Sequence, residues 1–390
     1  MICIQHTKVY TPAKVIEDGA VLVADGRIQA VAPTNQIDLP DKVSRIDGTG
    51  LHLVPGFIDL QLNGAIGLDF TTDPSSIWPV ADYLPSTGVT SFLPTIITSP
   101  LTAVQAAQEI ITNSPPTGFT GAIPLGLHLE GPFLNPAKKG AHNPDYLRLP
   151  TETAVANWLP ENGVRLVTLA PELDGALDVT HLLAERGIVV SAGHSTATFA
   201  QAKAAFEAGI RYGTHLFNAM PPLHHREPGL AGALLADERT TIGLIADGEH
   251  VHPELVKMVW QLVGNGRLNL VTDAMAALGM PPGSYRLGDF DVTVDDTSAR
   301  LPSGTLAGSI LRMDTAVRNL IIYTGYTLAA ALPTVTSTPA DLLNLPHKGR
   351  IAPNCDADLV LLDTELQVHT AFVGGRMIYQ KNLATENTEI

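Results

Sequence analysis

The sequence predicts an α/β protein, a (β/α)8 TIM barrel with a small β-sandwich domain built from both chain ends. Three observations carry this. Eight apolar, strand-like runs alternate with helix-like segments, the signature of a parallel sheet wound through crossover helices. Two of these runs, Gly187-Ile-Val-Val-Ser-Ala-Gly-His194 and the one closing Tyr212-Gly-Thr-His215, end in a histidine at the carboxyl end of a strand, where α/β folds bind ligands. Both chain ends instead read as short strands around glycine turns.

Taken in order, residues 1–52 are β-rich. Ala20-Val-Leu-Val-Ala-Asp25-Gly26-Arg-Ile-Gln-Ala-Val31 is a hairpin with Asp-Gly as its turn. The far end echoes it with Asp358-Leu-Val-Leu-Leu-Asp363 and Thr370-Ala-Phe-Val-Gly-Gly375-Arg-Met-Ile-Tyr379. Isolated hairpins are marginal, so the two ends are expected to pair as one discontinuous domain, 1–52 plus 350–390.

The eight middle runs are Val54–Asn63, Val89–Thr95, Pro124–Glu130, Val164–Ala170, Gly187–His194, Ile210–His215, Thr240–Asp247 and Arg267–Asp273. They span roughly 220 residues, the number and size of a barrel, whereas an open doubly wound sheet needs no such eightfold count. Helices are expected at Leu101–Asn113, Thr196–Ala208 and His252–Val263. The barrel is placed at 53–349, with a β insertion near 284–303 and helical material from Gly308 to about Leu345.

Composition narrows the function classes. With 45% apolar and 16% charged residues the chain is a packed globular protein. A net charge of −15 offers no basic stripe for nucleic acid. Cys3 and Cys355 are too few for a disulfide framework and fit a reducing compartment. No signal-peptide pattern and no run of about 18 apolar residues is visible, so a cytoplasmic protein away from the membrane is expected.

The strand ends carry Gln61 and Asn63, Thr95, Glu130, Glu172, His194, His215, Asp247 and Asp273. In a barrel these converge on one face. Glu130, His194 and His215 form a two-His, one-carboxylate set, a common catalytic zinc shell that leaves a place for water. Asp273 is then a free carboxylate poised to take that water's proton, although before Ala-Met-Ala it reads equally as a helix N-cap. The Pro-rich loop through His224-His225-Arg226 offers a guanidinium for an anion, and His250 follows the seventh strand, a frequent phosphate region. His224, His225 and His252 read as plain loop residues.

On these residues the chain resembles the amidohydrolase superfamily nearly end to end, and within it the N-acetylglucosamine-6-phosphate deacetylase group. The motifs are Val54-Pro-Gly-Phe-Ile-Asp-Leu-Gln-Leu-Asn-Gly64, His128-Leu-Glu-Gly-Pro-Phe133, Ser191-Ala-Gly-His-Ser195, Thr214-His-Leu-Phe-Asn-Ala-Met220 and Val271-Thr-Asp-Ala-Met275. The second and fourth are specific to the deacetylase group.

The resemblance implies a metal-dependent barrel with one divalent ion, Zn2+, on Glu130, His194 and His215. It implies Asp273 as general base and then acid, and His142 as the group polarising the acetyl carbonyl. Ala141, His142, Asn218, Ala219, Arg226, His250, Leu306, Ala307 and Gly308 would contact the sugar phosphate. It also implies a homodimer or dimer of dimers, with one phosphate contact, at Arg226 or His250, from the neighbouring subunit, and a place in amino-sugar catabolism and cell-wall sugar recycling.

Where many superfamily members carry His-x-His for a second metal, this chain has Gln61 and Asn63. Neutral amides are poor transition-metal ligands, and the fourth strand ends without a lysine to carbamylate, so one ion is expected and these positions are vestigial. The same chemistry on N-acetylgalactosamine 6-phosphate is the nearest alternative. A non-catalytic barrel scaffold is the other, and it predicts gaps in a set that has none.

Overall fold

The computed structural model describes residues 1–40 and 42–381, so positions 382–390 of the expected C-terminal β segment lie outside the described residues. Eight parallel strands form the barrel: Phe57–Leu62, Val89–Ile97, Leu127–Glu130, Val164–Leu169, Val189–Ala192, Tyr212–Gly213, Thr241–Leu244 and Leu268–Leu270. Each pairs with the next in parallel register, from Phe57 opposite Val89 through Leu244 opposite Leu270. Closure is thinner. Between the first and eighth strands it rests on a single bridge, Leu62 to Ala274, with Asp273 N–H donating to Gln61 O (2.9 Å) and Asn63 N–H to Ala274 O (2.7 Å).

Every residue of Phe57–Leu62 and of Val89–Ile97 is buried. Helices cover the outside of a parallel barrel and side chains fill the inside, so its strands are buried on both faces, polar residues such as Asp59 and Gln61 included. The expected helices start and stop within a few residues of their observed bounds. Phe199–Ala208 begins later than Thr196 because Thr198 and Gln201 form a capping box there. Among the described residues no single helix is long and apolar enough to cross a membrane.

One expected run is divided. His52–Pro55 belongs to the chain-end sheet, and the barrel strand starts only at Phe57. Gly56 sits at the crossing, where an added Cβ would lie 2.1 Å from Thr90 Oγ1, so only glycine allows this approach. Apolar periodicity cannot tell that two sheets share one run.

The chain-end sheet has eight strands, seven in one path, Arg376–Gln380, Val368–Val373, Leu359–Leu362, His52–Pro55, Ile2–Tyr10, Val15–Ala24 and Arg27–Pro33, and the eighth, Ser44–Asp47, off that path beside Ile2–Tyr10. The two termini therefore meet in one sheet, whose core holds Ile4, Val9, Val21, Leu53, Leu359 and Phe372. Asp25 and Gly26 both take positive φ in the Asp-Gly hairpin turn. After the eighth barrel strand, Gly283–Leu287, Phe290–Val294 and Ala299–Arg300 make a small antiparallel sheet. Its Leu287 reaches the barrel mouth.

Candidate active site

Three short strands deliver the central residues. Glu130 ends the third strand, and His194 and His215 each lie two residues beyond the fifth and sixth. Those strands are shorter than the sequence runs, because His194 (φ 48°) and His215 (φ 30°) have already left the extended conformation, as has Asp273 (φ 48°). Left-handed backbone at a residue with a side chain costs about 1–3 kcal/mol and persists where its surroundings over-determine it. Here His194 O accepts from Asn135 N–H (2.9 Å), Leu216 N–H donates to Gly243 O (2.8 Å), and Asp273 O accepts from Ser309 N–H (2.8 Å).

The donor atoms converge. Glu130 Oε1 lies 3.2 Å from His194 Nε2 and 3.0 Å from His215 Nε2, and the two nitrogens are 3.1 Å apart. A tetrahedral ion with nitrogen ligands near 2.0–2.1 Å sets neighbouring donors about 3.4 Å apart, so the three fit one ion with small adjustment. His194 Nδ1 donates to Lys138 O at 2.8 Å, which fixes the ring with Nε2 towards Glu130. Burial alone would raise the Glu130 carboxyl, but hydrogen bonds from His194 and His215 outweigh it and hold it well below the usual carboxylate range.

The two amides at the end of the first strand, Gln61 within it and Asn63 just beyond, face the carboxylates. Gln61 Nε2 donates to Glu130 Oε1 and to Asp273 Oδ1 (both 3.2 Å), and Asn63 Nδ2 donates to Asp273 Oδ1 at 2.8 Å. The opposite amide orientation would set oxygen against carboxylate oxygen. Both amides thus present N–H donors to the carboxylates. Among the described residues, no second group of three metal-binding side chains accompanies Glu130, His194 and His215. Asp273 does not cap a helix; burial, with the Glu130 charge behind it, pushes its carboxyl up to about 6.

His142 packs edge-on against His194, with its Nε2 3.9 Å from Glu130 Oε2. Thr98 N–H points at His142 Nδ1 (3.3 Å), and Thr98 Oγ1 lies 2.9 Å from the same nitrogen. A backbone N–H can only donate, so Nδ1 is the acceptor and the ring proton sits on Nε2, facing the cavity. Burial, then His194, depresses the ring to about 3, so it is a neutral donor.

A cavity of about 370 Å³ covers this cluster, within the range of small-ligand sites. Ala141, Asn218, Ala219, His250, Leu306 and Gly308 line it beside Asn63, His142 and Asp273, while Ala307 is fully buried behind them. His250 Nδ1 is held by Asp247 Oδ2 at 2.6 Å. Arg226 is not in the lining within one chain: it is exposed, its Nη1 3.0 Å from His225 Nε2. Glu172 is also elsewhere, accepting from Asn135 Nδ2 (2.8 Å) and Ser195 Oγ (2.7 Å) beneath the His194 turn. His252 caps the helix Pro253–Val263.

Lys138, Ile97, Leu287 and Thr305 line the cavity without having been singled out from the sequence. Only Lys138 carried a signal, the Lys138-Lys139-Gly140 run just before Ala141-His142. Its Nζ donates to Met220 O at 3.1 Å, linking the loops after the third and sixth strands.

The amidohydrolase family profile matches residues 52–381. The N-acetylglucosamine-6-phosphate deacetylase of Danio rerio is 41% identical over 353 residues, 86% of this chain and 87% of that protein. The N-acetylgalactosamine-6-phosphate deacetylase of Escherichia coli O157:H7 is 38% identical over 367 residues, 93% of this chain and 95% of that protein. A solved Mycobacterium smegmatis N-acetyl-D-glucosamine-6-phosphate deacetylase, an aspartate-to-alanine mutant in complex with that sugar phosphate, superposes with a TM-score of 0.90 at 34% identity, over 97% of this chain and 99% of that one.

Proposed function

Because the chain belongs to the amidohydrolase family, we propose that it hydrolyses the acetamide of N-acetyl-D-glucosamine 6-phosphate to D-glucosamine 6-phosphate and acetate. The observation that carries this reading is the convergence of Glu130, His194, His215, Asp273 and His142 on one cavity. Glu130, His194 and His215 are the residues to hold one divalent ion, Zn2+ by its donor chemistry. When bound, such an ion lowers the pKa of water and polarises a carbonyl.

Asp273 is held by Asn63 and Gln61 with its carboxyl near the range of a useful general base. It takes the proton of the attacking water and returns it to the leaving nitrogen. His142 supplies a fixed Nε2–H to the oxygen on which charge develops, a preorganised donor in a buried site. Ala141, Asn218, Ala219, His250 and Leu306–Gly308 hold the sugar phosphate, and Arg226, exposed within one chain, reaches the phosphate from the neighbouring subunit of a homodimer. We assign this activity to amino-sugar catabolism and cell-wall sugar recycling, in the cytoplasm, a location that the free cysteines Cys3 and Cys355 support.

Relatives at 36–38% identity that act on N-acetylgalactosamine 6-phosphate favour that epimer as the second reading. The test is acetate release from both sugar phosphates by protein that has been chelated and then titrated with zinc. Activity on the gluco-epimer restored at one equivalent is the expected result. Preference for the galacto-epimer selects the second reading, and no acetate from either sinks both.

A further inference from the structure

Beside Glu130 and Asp273 the barrel holds a further buried carboxylate, which the proposed chemistry leaves unused. Asp59 is fully buried in the first strand, two residues before Gln61 and therefore on the same, inward face. Asp59 Oδ1 accepts from Gln61 N–H (3.2 Å) and Thr272 N–H (3.3 Å), and Oδ2 accepts from the Thr272 hydroxyl at 2.6 Å. Among the described residues no cation pairs with it, and burial pushes it up to about 7. A buried, unpaired acid is costly, and an apolar side chain of similar size would avoid the cost.

Its place in the fold explains its presence. The first and eighth strands are the pair whose ladder is reduced to one bridge, and Asp59 spans that gap from the inside. Thr272 is held on its other side too: its carbonyl accepts from Ser309 Oγ–H (2.6 Å), and its Oγ1 accepts from Ala274 N–H (3.2 Å). The next residue is Asp273, whose left-handed backbone (φ 48°) turns its carboxylate into the cavity. We infer that Asp59 is a positioning residue, acting through Thr272 to fix the turn that presents Asp273 to the substrate. This rests on the proposed role of Asp273.

The experiment compares kcat, KM and bound zinc for the wild type, Thr272→Val, Thr272→Ser, Asp59→Asn and Asp273→Asn. Thr272→Val keeps the side-chain shape and removes the hydroxyl that reaches Asp59. It is expected to lower kcat about tenfold to a hundredfold, the effect of a slightly misplaced reacting group, with KM and zinc unchanged. Thr272→Ser restores kcat to within a few-fold, and Asp59→Asn behaves as Thr272→Val. A Thr272→Val enzyme with wild-type kcat overturns the inference, whether or not Asp59→Asn folds. So does a loss of kcat that tracks a loss of zinc or that serine does not rescue, since either is general damage. Turnover surviving in Asp273→Asn would instead refute the role of Asp273 itself.

Discussion

Asn63 Nδ2 donates to Asp273 Oδ1 at 2.8 Å across the barrel's closing seam. This amide grips the carboxylate of the proposed base. A hydrogen bond to a charged group is worth about 1.5–3 kcal/mol. Asn63→Ala should therefore cost about tenfold to a hundredfold in kcat while zinc stays at one equivalent by elemental analysis. Two equivalents in the wild type would refute the single-ion reading.

Asp273 touches none of the three donor atoms directly, and its hydrogen bonds run to Gln61 and Asn63. Asp273→Asn should retain the ion and lose turnover by about 10²–10⁴-fold, the span of general acid–base catalysis. Near-normal acetate release from a zinc-loaded Asp273→Asn protein would remove the base from the mechanism.

His142 has its proton placed by Thr98. Losing one preorganised oxyanion donor typically costs about 10²–10³ in kcat. His142→Phe should show a loss of that size with KM changed far less, measured by steady-state kinetics at saturating zinc. An equal rise in KM with kcat intact would make His142 a binding residue instead.

Lys348 fastens the chain-end sheet. Its Nζ lies 3.1 Å from Asp356 Oδ2 and 2.7 Å from Asp358 Oδ2, and Asp358 Oδ1 accepts from Gly374 N–H (2.9 Å). Burial opposes the charged amine, but Asp358 and Asp356 outweigh it and raise the Lys348 pKa above its ordinary value. A raised pKa contributes stability that is complete below the unfolded lysine value, about 10.4, and is lost as pH rises through the higher folded value. Lys348→Met should cost roughly 2–4 kcal/mol at pH 7, because it leaves Asp358 without its cation while Asp356 keeps only Arg27. In urea melts the gap from wild type should persist to about pH 10 and narrow above it. A gap that closes between about pH 6 and pH 10, where the lysine and both carboxylates stay charged, would contradict the assignment.

Much of the barrel was legible. Buried parallel strands are mainly apolar, without alternation, so Val89–Ile97 and Val164–Leu169 stand out against amphipathic helices. Glu130, His194 and His215 were legible as well, because each follows such a run and a barrel gathers its strand ends. Less visible was the division at Gly56, where one apolar run serves two sheets. Lys138 was marked only by the Lys138-Lys139-Gly140 run, and a loop lysine looks like any solvated charge until its loop is seen to fold against His194. Asp59 was hidden because it lies inside a strand, where a lone acid carries no pattern.

The sequence by itself determined the kind of fold, the order of its strands and the identity of the donors, since these follow from local apolar runs and residue chemistry. Tertiary structure decided which donors touch. Gln61 and Asp273 stand 212 positions apart, and barrel closure brings amide to carboxylate at 3.2 Å. Local periodicity sets which face a residue takes on its own strand, but a contact across the closing seam depends on the register of strands that only the complete barrel aligns.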